Sequence, residues 1–257
     1  MSDQERGFYD DQADDYHLLF ADWSVSIASQ AKVLDRLIAA ELGVGVRTIL
    51  DCACGIGTQS IGLASRGHSL TASDISARAV RRLQTEAELR GLKIETGVAD
   101  LRTLATDIPG RFEVVLACDN ALPHLLSSDD LRRAIENMAA KLLPGGLLIA
   151  SIRDYDTLKQ ERPPAQPPRV FDDPGGRRIA FQVWDWGEDG SRYDLQQFIV
   201  WQTGGTWTTR HFSTPYRALE RAELESTVRE AGLISVRWHE PVESGYYQPI
   251  ITGRAAG

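Results

Sequence analysis

The feature that most constrains the fold is a regular alternation of strand-like and helix-like segments between residues 46 and 152. The nearly continuous apolar runs Phe112–Ala117 and Leu147–Ile152 are typical of strands that are buried on both faces of a parallel sheet. The intervening segments repeat apolar residues every three or four positions, and glycines follow several of them. This alternation predicts βαβ units, and hence an α/β fold with a doubly wound, mostly parallel sheet of seven strands.

The boundaries of these elements follow from periodicity and from turn residues. We expect a helix to begin at Ser127 or Ser128 and a turn at Pro144-Gly145-Gly146 before the fifth strand. The other predicted helices are Ser24–Glu41, Thr58–Ser65, Ala77–Arg90 and Ala218–Ala231, and the other predicted strands are Val46–Ala53, Ser69–Asp74, Lys93–Ala99, Leu233–His239 and Tyr247–Thr252.

The pattern changes after the fifth strand. Residues 160–176 are rich in Pro, Arg, Asp and Gly, which predicts a loop or lid. Three alternating runs then follow, separated by glycine-rich turns, and they predict an antiparallel meander inserted after the fifth strand. The predicted organisation is an N-terminal helical cap (1–45), an α/β core (46–158), the inserted meander (159–215) and a C-terminal part that completes the core sheet (216–257).

Charge and composition narrow the class of partner. The 257 residues carry a formal charge of −8, which disfavours nucleic acid as a substrate. The N-terminal segment lacks the apolar core of a signal peptide, and no run of about 18 apolar residues appears, so we expect a cytoplasmic protein with no membrane span. Cys52, Cys54 and Cys118 are expected to be buried free thiols, since their spacing suits neither zinc nor a disulfide framework. The expected partner is a small molecule; a homo-oligomer is compatible with the sequence.

One turn carries the functional argument. The segment Asp51-Cys52-Ala53-Cys54-Gly55-Ile56-Gly57-Thr58 lies between a predicted strand and helix, where glycines allow a ligand to approach the backbone closely. Asp74 follows Gly55 by 19 residues and ends the second strand, where a carboxylate can accept hydrogen bonds from ribose hydroxyls. Asp100 and Asp119 also end strands. Each feature alone also fits a simple tight turn or a helix cap.

Together these residues resemble class I S-adenosylmethionine-dependent methyltransferases over roughly residues 46–153. The likeness rests on the glycine turn, on Ser73-Asp74, on Ala99-Asp100-Leu101 and on Leu143-Pro144-Gly145-Gly146-Leu147. It implies a Rossmann-like methyltransferase fold with S-adenosyl-L-methionine as cofactor. Ribose would lie at Asp74, adenine at Asp100-Leu101 and the methionine part at the glycine turn and after the fourth strand. The cofactor-binding residues that it implies are Trp23, Asp51, Ala53, Gly55, Gly57, Asp74, Ile75, Asp100, Leu101, Asp119 and Leu122.

Two further segments resemble glycine and sarcosine N-methyltransferases. They are Cys118–Leu125, which contains Asn120 and His124, and Ile152-Arg153-Asp154-Tyr155-Asp156. The resemblance implies catalytic roles for Asn120, His124, Arg153 and Tyr155. It also implies substrate contacts from Tyr9, Tyr16, Asn120, Arg153 and Tyr216, with Arg153 holding a carboxylate. Phe20 replaces an expected tyrosine and Ala121 an expected serine, so glycine itself is not assured as the substrate.

Several alternatives stay open at the level of sequence. Arg153 could instead pair with Asp154 or Asp156, and His124 could be a structural core histidine rather than a base. The acceptor could be an oxygen, or the nitrogen of a heterocycle or natural product. A nicotinamide-dependent oxidoreductase also uses a glycine turn and a strand-end acid, although Ser60 stands where its third glycine would be. A cofactor-binding protein without catalysis is a further alternative.

Overall fold

A seven-stranded, mostly parallel sheet forms the centre of the computed structural model, which describes residues 3–257 and side chains from Gly7 onward. Met1 and Ser2, the start of the predicted N-terminal cap, lie outside the described residues. The strands follow the spatial order β10-β11-β5-β4-β1-β2-β3, and β11 alone among them runs opposite to the others, antiparallel to both β10 and β5. This confirms the predicted sheet. Its strands are β1 (Thr48–Asp51), β2 (Ser69–Asp74), β3 (Ile94–Val98), β4 (Phe112–Ala117), β5 (Leu142–Ser151), β10 (Ile234–His239) and β11 (Ile250–Arg254).

Helices cover both faces of this sheet because successive strand residues point to opposite sides. Ile49, on one face, belongs to the same buried cluster as Leu34 and Ile38. Leu50, on the other face, belongs to a cluster with Leu131 and Ile135. The helices are α1 (Asp3–Gln12), α2 (Trp23–Leu42), α3 (Thr58–Ser65), α4 (Ala77–Leu89), α5 (Leu104–Asp107), α6 (Ser128–Ala140), α7 (Tyr155–Glu161), α8 (Arg221–Glu230) and α9 (Pro241–Ser244), with 3₁₀ turns at Tyr16–Leu19 and Leu122–His124.

A separate antiparallel sheet follows β5, and we call it the second sheet. Its strands pair in chain order, which confirms the predicted meander insertion. The predicted loop at 160–176 is wrong, however, because most of that stretch is an edge strand. Pro167 and Pro168 lie where the pairing register shifts, and an edge strand accommodates prolines at such a bulge. The strands are β6 (Ala165–Asp173), β7 (Gly176–Trp186), β8 (Arg192–Thr203) and β9 (Thr206–Arg217).

The predicted turn at Pro144-Gly145-Gly146 also needs correction, because these residues lie within β5. The register between β4 and β5 shifts between Phe112 and Val114, so the chain bends there without leaving the sheet. The three cysteines are buried, as expected. Among the described residues, no helix is both long enough and apolar enough to cross a membrane.

Candidate functional site

The glycine turn and the acid that ends β2 are joined directly. Asp74 accepts a hydrogen bond from the backbone N–H of Gly55 (2.8 Å) through Oδ2 and one from that of Ser76 (2.9 Å) through Oδ1. Its carboxyl group is largely buried, and this burial raises its pKa. Because carboxylate oxygens accept more than one hydrogen bond, Asp74 keeps acceptor capacity for hydroxyl donors of a ligand.

A pocket with an empty volume of about 740 Å³ lies over this turn. Gly55 lines the pocket with φ +50°, and no protein atom lies within 4 Å of the position that a Cβ would take. Gly57 has a different role: its φ is +100°, and a Cβ there would lie 2.1 Å from Leu83 Cδ1. The first glycine therefore leaves room for a ligand, and the second lets α3 pack against α4.

The backbone after β4 is strained at two consecutive residues. Asp119 and Asn120 have φ of +63° and +68°, which non-glycine residues rarely adopt and which often marks a functional site. The carboxylate of Asp119 accepts hydrogen bonds from the hydroxyls of Tyr16 (3.2 Å) and Tyr247. This conformation places a carboxylate at the carboxyl edge of the sheet, held between two tyrosines.

Arg153 follows β5 and lies against the second sheet. Its guanidinium donates to Tyr193 Oη (2.9 Å) and Gln182 Oε1 (3.1 Å) and lies over the ring of Trp184. Among residues 7–257 it forms no ion pair within 4 Å, since Asp154 and Asp156 face Arg221 instead. The alternative pairing considered from the sequence is therefore wrong, and Arg153 is an oriented cation without a carboxylate partner.

A second, larger cavity extends from this arginine, between the core and the second sheet. Its empty volume is about 1810 Å³, counting space that is open to solvent. Arg153, Asn120 and Tyr216 line it. Tyr9, Tyr16 and Asp119 line both the first pocket and this cavity, so the two spaces meet at these three residues.

The N-terminal segment closes over this junction. Asp10 accepts hydrogen bonds from Ser76 Oγ (2.6 Å) and Arg78 N (3.1 Å), beside Asp74. On the other side, Asp15 pairs with Arg210 of β9 (3.0 Å), and Arg178 of β7 donates to the backbone oxygen of Leu18. The segment that carries Tyr9 and Tyr16 is thus held by both the α/β core and the second sheet.

The comparisons with known proteins agree with this geometry. Residues 49–146 match a family model described as a methyltransferase domain. The glycine/sarcosine N-methyltransferase of Parasynechococcus marenigrum (strain WH8102) is 33% identical over 137 residues, which are 53% of this chain and 48% of that protein. The chain thus spans about half the length of the curated relatives that it matches. The chain therefore contains, at residues 49–146, a methyltransferase domain.

Solved structures extend the likeness in fold beyond the methyltransferase domain. Streptomyces venezuelae DesVI superposes with a TM-score of 0.76 at 19% identity, covering 95% of this chain and 98% of that one. The S-adenosylmethionine-bound structure of CalS10, an amino pentose methyltransferase from Micromonospora echinaspora, gives a TM-score of 0.72 at 16% identity, with 90% and 92% covered. At these identities the agreement concerns the fold, and it includes the second sheet.

The predicted cofactor residues divide into two groups in the structure. Ala53, Gly55, Asp74, Ile75, Leu101 and Asp119 line the first pocket. The side chains of the others support its wall without lining it: Asp51 accepts from Ser60 Oγ (2.6 Å), Trp23 donates to Thr58 Oγ1 (2.9 Å), Asp100 pairs with Arg102 (2.7 Å), Gly57 packs at Leu83, and Leu122 is buried in the core. Ser60, which stands in place of a third glycine, therefore fixes Asp51.

The predicted catalytic residues also differ in their positions. Asn120 lines the cavity, but its amide donates to Tyr155 Oη (3.0 Å) and accepts from Arg153 N (3.1 Å). Tyr155 is fully buried and lines neither space; its hydroxyl also bonds to Tyr193 (2.9 Å). The geometry therefore gives Asn120 and Tyr155 the task of holding Arg153 in position.

His124 lies at the junction but is poorly suited to take up a proton. It is buried, its ring is tilted by 40° against that of Tyr216 (4.0 Å between ring centroids), and its Nε2 shares a 2.6 Å hydrogen bond with Tyr9 Oη. Burial and the nearby Arg153 lower its pKa to about 3, so it is neutral at physiological pH. It positions Tyr9.

Sequence reasoning missed three residues around Arg153: Gln182 and Gln197, which line the cavity, and Tyr193, which accepts a hydrogen bond from the guanidinium. Gln182 accepts from Arg153 and donates to Gln197 Oε1 (2.8 Å), which in turn donates to backbone oxygens of the second sheet. These three residues lie in the insertion, outside the resemblance. Their only sequence signal is alternation along β7 and β8, which predicts a shared face but not what that face covers.

Proposed function

We propose that this protein is an S-adenosylmethionine-dependent methyltransferase that methylates the amine nitrogen of a small, carboxylate-bearing molecule. One observation carries the proposal. The pocket over the glycine turn and the cavity that contains the unpaired Arg153 meet at Tyr9, Tyr16 and Asp119. A donor and an acceptor bound on either side of these residues would be brought into contact with each other.

The first pocket has the chemistry that the cofactor needs. Asp74 would accept hydrogen bonds from the ribose hydroxyls, and Gly55 would allow close approach of the methionine part. Ile75 and Leu101 offer apolar surface for adenine. When bound, S-adenosylmethionine supplies a methyl group that is already activated by a sulfonium.

In the second cavity, Arg153 would hold the acceptor carboxylate through two parallel hydrogen bonds. Asp119 would accept a hydrogen bond from the amino group, which has lost its proton to water before attack. The neutral nitrogen then forms a bond to the methyl carbon as the bond from sulfur to carbon breaks. Holding donor and acceptor in line supplies most of the rate enhancement. The N-terminal segment would exclude water from the junction.

The acceptor is proposed to be nitrogen rather than oxygen because of His124. An alcohol must lose a proton as it attacks, so an oxygen acceptor needs a base that can take up a proton near neutral pH. His124 has a pKa of about 3 and shares its Nε2 hydrogen bond with Tyr9. An amine can lose its proton before attack. The curated relatives, named as glycine and glycine/sarcosine N-methyltransferases, support the same choice.

Two measurements test the proposal. Calorimetry should detect binding of S-adenosylhomocysteine but not of NAD. A methyl-transfer assay should then detect product with an amino acid such as glycine or sarcosine and none with glycolate, its hydroxy acid counterpart. Product from glycolate alone would refute the nitrogen acceptor, and no binding of S-adenosylhomocysteine would refute the cofactor site.

Arg153→Ala tests the carboxylate site within the same assay. Loss of a bidentate charge-assisted contact should raise KM for the acceptor by roughly 10- to 100-fold. The affinity for S-adenosylhomocysteine should stay unchanged. Arg177→Ala is the matched control, since Arg177 belongs to the second sheet, against which Arg153 lies, is exposed and pairs with Asp172. An unchanged KM in Arg153→Ala would remove the carboxylate from the proposal.

A further inference from the structure

The inner face of the second sheet carries more positive charge than a single carboxylate requires. Directly opposed residues of an antiparallel pair project from the same face. Arg169 of β6 opposes Ala180, and Gln166 opposes Gln182. Alternate residues of β7 share that face, so Arg178, Ala180 and Gln182 lie in a row along it. Arg153 reaches this row through its hydrogen bond to Gln182 (3.1 Å).

The guanidinium groups around this face differ in how their charge is balanced. Arg178 is neutralised by Asp173 (2.8 Å), and Arg221, on the far side of the cavity, pairs with Glu240. Arg153 and Arg169 both line the cavity, and among residues 7–257 neither forms an ion pair within 4 Å. Two cations therefore face the same space without carboxylate partners.

The positions of these two cations match a longer acceptor. Ala180, which opposes Arg169, and Gln182, which binds Arg153, lie about 7 Å apart along β7. The remaining carboxylate at the junction is Asp119, whose hydrogen-bond donors among residues 7–257 are the neutral hydroxyls of Tyr16 and Tyr247. Apart from Arg221, which pairs with Glu240 and with Asp154 (3.5 Å), the lining presents two positive charges and one negative charge. This is the complement of a molecule with one ammonium and two anionic groups.

We propose that the acceptor is an amine with two anionic groups, the first held by Arg153 and the second by Arg169. This rests on the proposed function and extends it to a substrate class. Asp119 receives the amine, Arg153 the carboxylate next to it, and Arg169 a more distant carboxylate or phosphate. The empty volume of about 1810 Å³, far more than glycine occupies, accommodates such a molecule.

A competing explanation assigns Arg169 a role in protecting the fold. It lies on an edge strand, where charged side chains discourage pairing with other chains. In that case its charge has no relation to the acceptor. The two explanations differ in one measurable respect, which is whether the affinity for a second anionic group depends on Arg169.

Calorimetry on the protein saturated with S-adenosylhomocysteine separates them. The ligands are glycine, L-glutamate and O-phospho-L-serine, the last two distinguishing a carboxylate from a phosphate as the second anion. We expect at least one of the two to bind roughly tenfold or more tightly than glycine, as a charge-assisted contact gives. Arg169→Ala should abolish this difference and leave glycine binding unchanged. Arg177→Ala should preserve it.

The other outcomes show separately whether the inference or the proposed function fails. If wild-type protein binds neither dianion more tightly than glycine, or if Arg169→Ala keeps the preference, the inference is overturned. If glycine is methylated while Arg169 has no effect, the inference fails and the proposed function stands. If the dianions bind through Arg169 but no amine is ever methylated, the proposed function fails and the anion site stands.

Discussion

Asp74 Oδ2 accepts a hydrogen bond from the backbone N–H of Gly55 at 2.8 Å. The acid at the end of β2 therefore does more than face the pocket: it also fixes the turn after β1. Because its other oxygen accepts from Ser76, one carboxylate joins the two loops that border the pocket. A change at Asp74 should consequently affect both ligand binding and the conformation of the turn.

Substitutions of Asp74 are expected to separate these effects. Asp74→Ala removes every contact and should weaken S-adenosylhomocysteine binding by about 3 kcal/mol or more, since two charge-assisted hydrogen bonds are lost. Asp74→Asn keeps an oxygen for one backbone N–H but loses the charge, so its binding defect should be smaller and its Tm closer to wild type. Calorimetry and thermal unfolding measure the two. Wild-type affinity in Asp74→Ala would refute the ribose assignment.

The two glycines of the turn provide a matched pair. Gly57→Ala should lower the free energy of unfolding by roughly 2–4 kcal/mol, because the new Cβ would overlap Leu83 and the residue would stay at φ +100°. Gly55→Ala meets no protein atom within 4 Å and should cost only about 1 kcal/mol for its left-handed backbone. It should nevertheless weaken cofactor binding by tenfold or more, since its methyl group enters the pocket.

Denaturant unfolding and calorimetry on both variants test this division. If Gly57→Ala has the wild-type free energy of unfolding, the packing of α3 on α4 does not depend on a glycine at this position. If Gly55→Ala binds S-adenosylhomocysteine normally, the ligand does not approach that part of the turn.

Asp51 should make stability depend on pH. Burial raises its pKa to about 7, whereas in the unfolded chain it titrates near 4. The native state therefore favours the protonated form, so its contribution is fully present below about pH 4 and is lost as the pH rises to about 7. The loss is on the order of 4 kcal/mol. Asp51→Asn, which can still contact Ser60, should not show it.

Denaturant midpoints of both proteins between pH 4 and pH 8.5 check this prediction. The stability of Asp51→Asn relative to wild type should increase across that range. Parallel curves would show that Asp51 is ionised in the native state at little cost.

Tyr193 is expected to act on the acceptor through Arg153. Its hydroxyl accepts from the guanidinium at 2.9 Å. Tyr193→Phe should loosen the orientation of that group and raise KM for the acceptor about fivefold, since the guanidinium keeps its own contact with the acceptor and loses only one support. The value of kcat and the affinity for S-adenosylhomocysteine should change little. Trp207→Phe, an exposed change on the same sheet, is the control. A fall in kcat at constant KM would contradict this role.

The sequence by itself determined the α/β core. One helix and two strands were predicted with the boundaries that the structure has: Thr58–Ser65, Ser69–Asp74 and Phe112–Ala117. Their signals, the periodicity of apolar residues and the glycines at element ends, depend only on residues that are close in sequence. The glycine turn and Asp74 were predicted for the same reason: both are ends of strands, and parallel strands present their carboxyl ends at one edge.

Where local signals conflict with pairing, prediction failed. Pro167 and Pro168 indicate a loop, yet the segment that contains them pairs with β7 and becomes an edge strand. Likewise, Pro144-Gly145-Gly146 indicates a turn, but Leu142 before it pairs with Phe112 and Leu147 after it pairs with Val114, so the segment is an irregularity within β5. The energy of such pairing depends on residues that are distant in sequence.

Only the tertiary structure decided what the candidate catalytic residues contact. In the sequence, Tyr155 lies two residues after Arg153 and Asn120 lies in a motif that resembles N-methyltransferases. In the structure, the Tyr155 hydroxyl bonds to Asn120 and to Tyr193 of the second sheet, so Tyr155 and Asn120 support the guanidinium. The ionisation of His124 and Asp51 was equally invisible, because a pKa depends on burial and on nearby charges rather than on residue type. The sequence shows which chemical groups are present, but the packing of segments that are distant in sequence decides which of these groups face a ligand.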